Sequence, residues 1–157
     1  MNHMLTGYNW SQVLDNLQRS LFAEQMVCSM STQLFHIPRT QDLEGNPEMH
    51  QHLVPASYHR VTAIGSAQRL QHGEYHESII KTLSSCIQNA KMEDRGVMEW
   101  LYVMKEAADS DVKPYIETII YWQELTQYKL ALAEHALNQI GIYVENAGLS
   151  PTPYVRS

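Results

Sequence analysis

The sequence predicts an all-α protein, a four-helix bundle whose helices pack antiparallel. Two patterns support this class: apolar residues recur at spacings of three and four over long segments, and the alternation typical of strands is nearly absent. The chain has 157 residues, of which 44% are hydrophobic and 18% are charged. That length and composition suit a single helical domain, residues 1–157, around one hydrophobic core.

The first helix is predicted over residues 10–35. Its apolar stripe consists of Trp10, Val13, Leu14, Leu17, Leu21, Val27, Cys28, Leu34 and Phe35. Pro38 ends this helix, because the residue before a proline disfavours helical backbone. A long loop over residues 36–55 is predicted next, since further prolines and one glycine interrupt that segment.

The second helix is predicted over residues 56–90 and the third over residues 92–108. Gly65 and Gly73 each weaken the second helix by up to about 1 kcal/mol relative to alanine, so a kink or break near Gly73 stays open. The apolar stripe of the second helix consists of Val61, Ile64, Tyr75, Ile79, Leu83, Cys86, Ile87 and Ala90. Because Cys28 and Cys86 both fall on apolar stripes, we expect two buried, reduced thiols.

The fourth helix is predicted over residues 112–144, and its apolar arc covers more than half of its circumference. A helix at the surface of a monomer needs a narrower stripe. A protein–protein interface is therefore predicted at Tyr121, Trp122, Leu125, Tyr128 and Leu132. We expect self-association into a homo-oligomer or binding to another protein. Residues 145–157 are predicted to form an extended tail.

The charge of the chain bears on its partners. The formal net charge is −6, from 11 basic and 17 acidic residues, and the basic residues form no run. Nucleic acid is therefore not an expected partner, because phosphate binding needs clustered positive charge. No segment is long and apolar enough to span a membrane, and the N-terminus lacks the pattern of a signal peptide. We expect a soluble acidic protein, located in the cytoplasm or in a particle assembled inside the cell.

Glu24, His72 and His76 fall on the apolar arcs of the first two helices when each helix is drawn at about 100° per residue. A carboxylate and two imidazoles facing a bundle core can hold a transition metal, which would make the chain a ferritin-like bundle with an atypical site. The repeated Glu-x-x-His motif of di-metal bundles does not occur in the sequence. The favoured alternative is a buried polar layer that holds no cofactor. The candidate partners of the carboxylate in that layer are His72, His76, Gln68 and Tyr128.

The sequence contains no catalytic motif: no His-Glu-x-x-His, no nucleophile elbow, no phosphate-binding loop and no dinucleotide-binding glycine pattern. The predicted function is therefore non-catalytic, a structural, assembly or adaptor subunit that acts through protein contacts. Two alternatives stay open. One is the metal-binding bundle, to which His50 and His52 offer a second pair of imidazoles. The other is a small-ligand pocket lined by Trp10, Tyr121, Trp122 and Tyr128.

Overall fold

The computed structural model describes residues 10–146, and the side chains of residues 10–141. The helices are α1 (Trp10–His36), α2 (Asn46–Gln71), α3 (Glu77–Ala107) and α4 (Lys113–Asn146). The part of the chain described here contains no β-strand, so the predicted all-α class with four helices is confirmed. Between residues 10 and 146, no helix combines the length and the hydrophobicity that crossing a bilayer demands.

The buried face of each helix follows a spacing that alternates between three and four residues. In α1 this face consists of Trp10, Val13, Leu17, Ser20, Glu24, Val27, Ser31 and Leu34. In α2 it consists of Met49, Leu53, Ala56, Arg60, Ala63, Ala67 and Leu70. The average of 3.5 residues is the repeat of coiled coils and of most four-helix bundles, in which side chains at these positions meet across helices. Glu24 and Arg60 therefore occupy core positions by their spacing alone.

Hydrogen bonds between helices tie the elements together at several heights. Between α1 and α2, the Gln71 side chain donates to Ser11 Oγ at 2.9 Å. Between α1 and α4, the Tyr115 hydroxyl donates to the Met30 carbonyl at 2.8 Å. The most extensive packing occurs between α2 and α3 and between α1 and α4. The grooves between α1 and α2 and between α3 and α4 are accordingly the less tightly closed sides of the bundle.

The hydrophobic core is divided into two clusters along the length of the helices. The first cluster includes Trp10, Leu17, Ala67, Leu70, Leu83, Ile87, Leu130 and Ile140. The second includes Val27, Leu34, Met49, Leu53, Val97, Leu101, Met104, Ile116 and Ile119. Between them, on the same buried faces, lie Ser20, Glu24, Arg60, Asp94, Gln123 and Thr126. A polar layer therefore separates two apolar halves of the core.

The predicted loop over residues 36–55 is too long, because α2 already begins at Asn46. Pro47 lies in the first turn of α2, where a missing N–H leaves no hydrogen bond unmade. Pro55 lies inside α2 and removes one helical hydrogen bond. The buried Met49 and Leu53 continue the core spacing through this segment. Burial of that face therefore outweighs the helix-breaking effect of Pro55, which the sequence analysis placed in the loop.

The predicted second helix, residues 56–90, is wrong as a single element. The chain breaks between Gln71 and Glu77. Gly73 adopts φ of 94° in this turn, a left-handed conformation that glycine tolerates best. The break lies at the position that the sequence left open. The predicted third helix, residues 92–108, is the C-terminal half of α3. The predicted tail begins inside α4, and its residues 147–157 lie outside the described residues.

The two cysteines differ in exposure. Cys86 is buried, as predicted, whereas Cys28 is exposed. The predicted burial of Cys28 is wrong. A helical wheel drawn at 3.6 residues per turn drifts by about 20° per heptad from a 3.5-residue repeat, so it misplaces residues at the edge of the buried face. The true buried face of α1 passes through Glu24, Val27 and Ser31. Cys28 lies on the flank of that face that borders α2.

We predict that substitution by alanine has opposite effects on the free energy of unfolding at Gly45 and at Gly65. Gly45 has φ of 95°, and a Cβ there would lie 3.1 Å from Met104 Cγ and 3.2 Å from the Trp100 carbonyl oxygen. Gly45→Ala should therefore lower the free energy of unfolding by about 1–3 kcal/mol. Gly65 lies within α2, where a Cβ would meet no atom within 4 Å. Gly65→Ala should raise the free energy of unfolding by about 0.5–1 kcal/mol.

Urea unfolding followed by circular dichroism measures both changes. Gly65→Ala is the matched control, because it adds the same methyl group without the positive φ. Equal effects of the two substitutions would contradict the turn geometry at Gly45.

Candidate functional site

The centre of the bundle is occupied by the guanidinium of Arg60, which is fully buried. Its Nη2 donates to Asp94 Oδ1 at 2.5 Å and to Glu24 Oε2 at 2.8 Å. Its Nη1 donates to Asp94 Oδ2 at 3.2 Å and to Ser20 Oγ at 3.1 Å. The pair with Asp94 is thus bidentate, the geometry in which guanidinium and carboxylate bind most strongly. α1, α2 and α3 all contribute to this cluster.

α4 completes the cluster through the side chain of Gln123 and the backbone carbonyl of Thr126, both on its buried face. Gln123 Nε2 donates to the Asp94 carbonyl oxygen at 3.3 Å. The hydroxyl of Ser20 donates to the Thr126 carbonyl oxygen at 2.7 Å. We call Ser20, Glu24, Arg60, Asp94, Gln123 and Thr126 the arginine layer. Because every helix supplies part of it, the layer fixes the relative height of all four.

The charges of the arginine layer do not balance, since two carboxylates face one guanidinium. Burial raises the pKa of Glu24, and the charge and hydrogen bond of Arg60 only partly oppose it. Burial likewise raises the pKa of Asp94 against the same opposing influence of Arg60. For Arg60, burial lowers the pKa, but the two carboxylates raise it further, so the net shift is upward. The two carboxyl groups compete for one counter-charge and titrate as a coupled pair.

Several polar atoms of the layer have no hydrogen-bond partner within the described residues. Glu24 Oε1, Arg60 Nε and Gln123 Oε1 are buried and unpaired. An unpaired buried polar atom costs about 1–3 kcal/mol. The Glu24 carboxylate therefore retains one free acceptor, although its other oxygen is bound to Arg60. Arg60 does not exchange protons at ordinary pH, so the titrating groups of the layer are the two carboxyl groups.

The predicted metal residues Glu24, His72 and His76 are not brought together. The carboxylate of Glu24 binds Arg60, and His72 and His76 are exposed in the turn between α2 and α3. At 1.5 Å per residue, His72 lies about 18 Å along the helix axis from Arg60. The wheel placed His72 and His76 on a buried face because it continued α2 beyond its end. The predicted alternative partners of Glu24, Gln68 and Tyr128, are exposed as well.

His50 and His52 do not form a common site either. His50 Nε2 lies 3.0 Å from Ser31 Oγ on α1, whereas His52 Nδ1 lies 3.7 Å from Glu93 Oε2 on α3. Since both residues are in α2 rather than in an extended loop, they point toward different neighbours. Within the described part of the chain, no group of three or more His, Cys, Asp or Glu side chains is arranged to hold a metal ion.

The predicted interface residues form a strip along the outside of α4. Tyr121 and Tyr128 are 59% and 58% exposed, while Trp122, Leu125 and Leu132 are half-buried. These five residues, together with the exposed Phe22 of α1, are called the aromatic face below. The rings of Phe22 and Trp122 lie 6.3 Å apart, and those of Tyr121 and Trp122 lie 5.6 Å apart, each pair in an edge-to-face arrangement. The face is therefore continuous across α1 and α4.

The predicted aromatic pocket is not formed as a single site. Trp10 is buried in the first core cluster, whereas Trp122 packs against the second. Tyr121 and Tyr128 are exposed on the outside of α4. The polar layer lies between the two tryptophans, which prevents them from lining one cavity with both tyrosines.

Sequence reasoning missed Arg60, Asp94 and Gln123 as core residues. Gln123, which the predicted apolar arc of the fourth helix did not single out, is fully buried. The signal that identifies all three is the strict alternation of three and four. In α3, for example, this spacing runs through Leu83, Ile87, Ala90, Asp94, Val97, Leu101 and Met104. A charged residue that interrupts an otherwise apolar heptad pattern indicates a buried polar layer.

We predict that Arg60→Leu destabilises the protein by about 3–5 kcal/mol, because it leaves two buried carboxylates without a counter-charge. Arg19→Leu is the matched control. Arg19 forms an exposed pair with Asp15 at 2.9 Å, and exposed pairs of this kind contribute about 0–1 kcal/mol. Denaturant unfolding of both variants measures the difference.

A triple variant, Arg60→Leu with Glu24→Leu and Asp94→Leu, separates lost charge pairing from lost packing. It should recover most of the stability, since apolar replacement of a whole buried ion cluster is often neutral or stabilising. A triple variant as unstable as Arg60→Leu alone would contradict the charge argument.

We predict that the stability difference between wild type and Glu24→Gln depends on pH. The pKa of Glu24 is raised from 4.5 in the folded protein, so the folded state binds more protons than the unfolded state above that value. The contribution of Glu24 to the free energy of unfolding is therefore fully present below pH 4.5 and is lost as the pH rises through the raised pKa of the folded protein. The glutamine variant lacks this titration.

Urea unfolding of both proteins at a series of pH values that begins below 4.5 gives the difference in their free energy of unfolding as a function of pH. The lowered pKa of His50, caused by burial, affects both proteins alike and cancels. A wild type that gains stability relative to Glu24→Gln with rising pH would overturn the assignment.

The chain matches no family model, no curated protein and no solved structure.

Proposed function

We propose that the chain is a non-catalytic structural or adaptor subunit that self-associates through the aromatic face. In this proposal the helices of each copy run antiparallel to their sequence neighbours, and α4 lies at the subunit boundary. The observation that supports it is the exposure of large aromatic side chains in one continuous strip. Exposed apolar patches of this kind are typical of interaction sites, and tyrosine and tryptophan are enriched in interfaces.

The spacing of the strip indicates that its partner is another helix. Tyr121, Leu125, Tyr128 and Leu132 follow one another at four, three and four residues. This is the same repeat that builds the buried faces of the bundle. α4 therefore carries two such seams, one turned toward the arginine layer and one turned outward. A helix with a second apolar seam of this spacing packs against a further helix by the same rules.

The charges beside the strip favour a second copy of the chain as that partner. Glu124 is exposed and Lys129 is half-exposed, on opposite flanks of the strip. When two copies of α4 lie side by side in the same direction, Glu124 of one copy faces Lys129 of the other, and the two-fold axis repeats the pair. The same chain thus supplies both the acidic and the basic residue of the ion pair between copies. Nucleic acid is not a proposed partner, since the net charge is −6.

The metal-binding alternative receives no support from the arrangement of Glu24, His72 and His76 described above. Oε2 of Glu24 is bound to Arg60, and His72 and His76 are exposed in the turn after α2. The proposal accordingly includes no cofactor.

We predict that Tyr128→Glu converts a dimer into a monomer. A carboxylate in the centre of an apolar helix seam loses its hydration on association, which should weaken self-association by about 100-fold, equivalent to about 2.7 kcal/mol. Size-exclusion chromatography with light scattering measures the molecular mass of wild type and variant at the same concentration.

Tyr102→Glu is the matched control. Tyr102 is 50% exposed on α3, outside the aromatic face, so the same substitution there should leave the dimer intact. A wild-type protein that stays monomeric at high concentration, or equal loss of mass in both variants, would argue against the proposal.

A further inference from the structure

The groove between α1 and α2 contains a second candidate site, distinct from the aromatic face. It has a volume of about 440 Å³ and is lined by residues that include Glu24, Cys28, Val54, Ser57, Tyr58 and Val61. Volumes of about 300–1,000 Å³ are typical of small-molecule sites. The lining is mainly apolar, and Val54, Tyr58 and Val61 are 69%, 68% and 53% exposed. The groove therefore offers apolar walls that no other part of the described chain covers.

The polar group in this groove is the carboxylate of Glu24, which is only 2% exposed. Its Oε2 accepts from Arg60 at 2.8 Å, while its Oε1 has no hydrogen-bond partner. Burial raises the pKa of Glu24, and the nearby Ser57 hydroxyl is the weakest of the influences that oppose this rise. Ser57 is not a hydrogen-bond partner of Oε1. A groove whose walls are apolar and whose carboxylate keeps a free acceptor selects a ligand with one donor group and an apolar body.

The charge of the cluster behind the groove determines which donor fits. Arg60 supplies one positive charge, and Glu24 and Asp94 supply two negative charges when both are ionised. A cation at Glu24 Oε1 would balance the cluster, whereas an anion would add to the excess. The other basic group in the groove, His50, has a pKa lowered by burial and pairs with Ser31. His50 therefore does not supply the missing positive charge.

From these observations we propose that the groove between α1 and α2 binds a small organic amine, with its ammonium on Glu24 and its apolar chain along Val54, Tyr58 and Val61. An ammonium carries three N–H donors, one for Glu24 Oε1 and a second for the Ser57 hydroxyl. The apolar chain gains by burial against the valine side chains, at about 25 cal/mol per Å² of apolar surface removed from water. This site is independent of the aromatic face.

Hexylammonium is a suitable probe, and Cys28 is a built-in reporter. Cys28 is an exposed thiol in the groove, whereas Cys86 is buried. At a hexylammonium concentration about ten times its dissociation constant, the labelling rate of Cys28 by a thiol reagent should fall about tenfold by mass action. Hexanol and hexanoate, of equal chain length, are the neutral and anionic controls. Both should protect Cys28 at least tenfold less effectively.

Two substitutions test the proposed site separately, one at its carboxylate and one at its apolar wall. Glu24→Gln removes the charge and should abolish the preference for hexylammonium over hexanol. Val61→Trp should fill the groove and reduce protection by all three probes. This second variant keeps the proposal testable if Glu24→Gln folds poorly. Met92→Trp is its control, because Met92 is 63% exposed on α3 outside the groove, and it should bind hexylammonium as wild type does.

The proposal is supported if hexylammonium protects Cys28 better than hexanol in the wild type, this preference is lost in Glu24→Gln, and protection is reduced in Val61→Trp. Equal protection by hexanol, stronger protection by hexanoate, or no protection by excess hexylammonium would each overturn it. None of these outcomes depends on whether the chain dimerises through α4.

Discussion

The buried guanidinium of Arg60 is the constraint on which the arrangement of the helices depends. A charged group without solvent must meet opposite charges and hydrogen-bond acceptors, and here Glu24 from α1 and Asp94 from α3 supply them. Sliding one helix by a turn would place the guanidinium against apolar side chains, at a penalty of several kcal/mol. Apolar layers tolerate such shifts far better. The arginine layer thus sets the register that the two apolar clusters then stabilise.

The same register determines which side chains reach the surface. Because Gln123 and Thr126 face the layer, Tyr121 and Tyr128 are turned away from the core and form the centre of the aromatic face. Because Arg60 binds only one oxygen of Glu24, the other oxygen remains a free acceptor beside the groove between α1 and α2. The proposed self-association surface and the proposed amine site are therefore two consequences of one buried cluster.

Periodicity was sufficient for the fold class and for the count of four helices, since amphipathic repeats of three and four report burial of one helix face. It was insufficient for helix ends. Pro47 and Pro55 were taken as loop residues, whereas packing of Met49 and Leu53 extends α2 across them. The predicted metal residues are not brought together for the same kind of reason, because His72 lies beyond the helical segment to which the sequence analysis assigned it.

The sequence by itself determined the helical class, the apolar faces and the unusual outer strip of α4, because each is a pattern within one helix. Only the tertiary structure decided that Arg60 pairs with Glu24 and Asp94, which lie 36 and 34 residues away. Local spacing shows that a charged residue faces the core, but it does not show which helix provides the counter-charge. That choice depends on how the helices are aligned along their length, and the alignment is a property of the packed bundle alone.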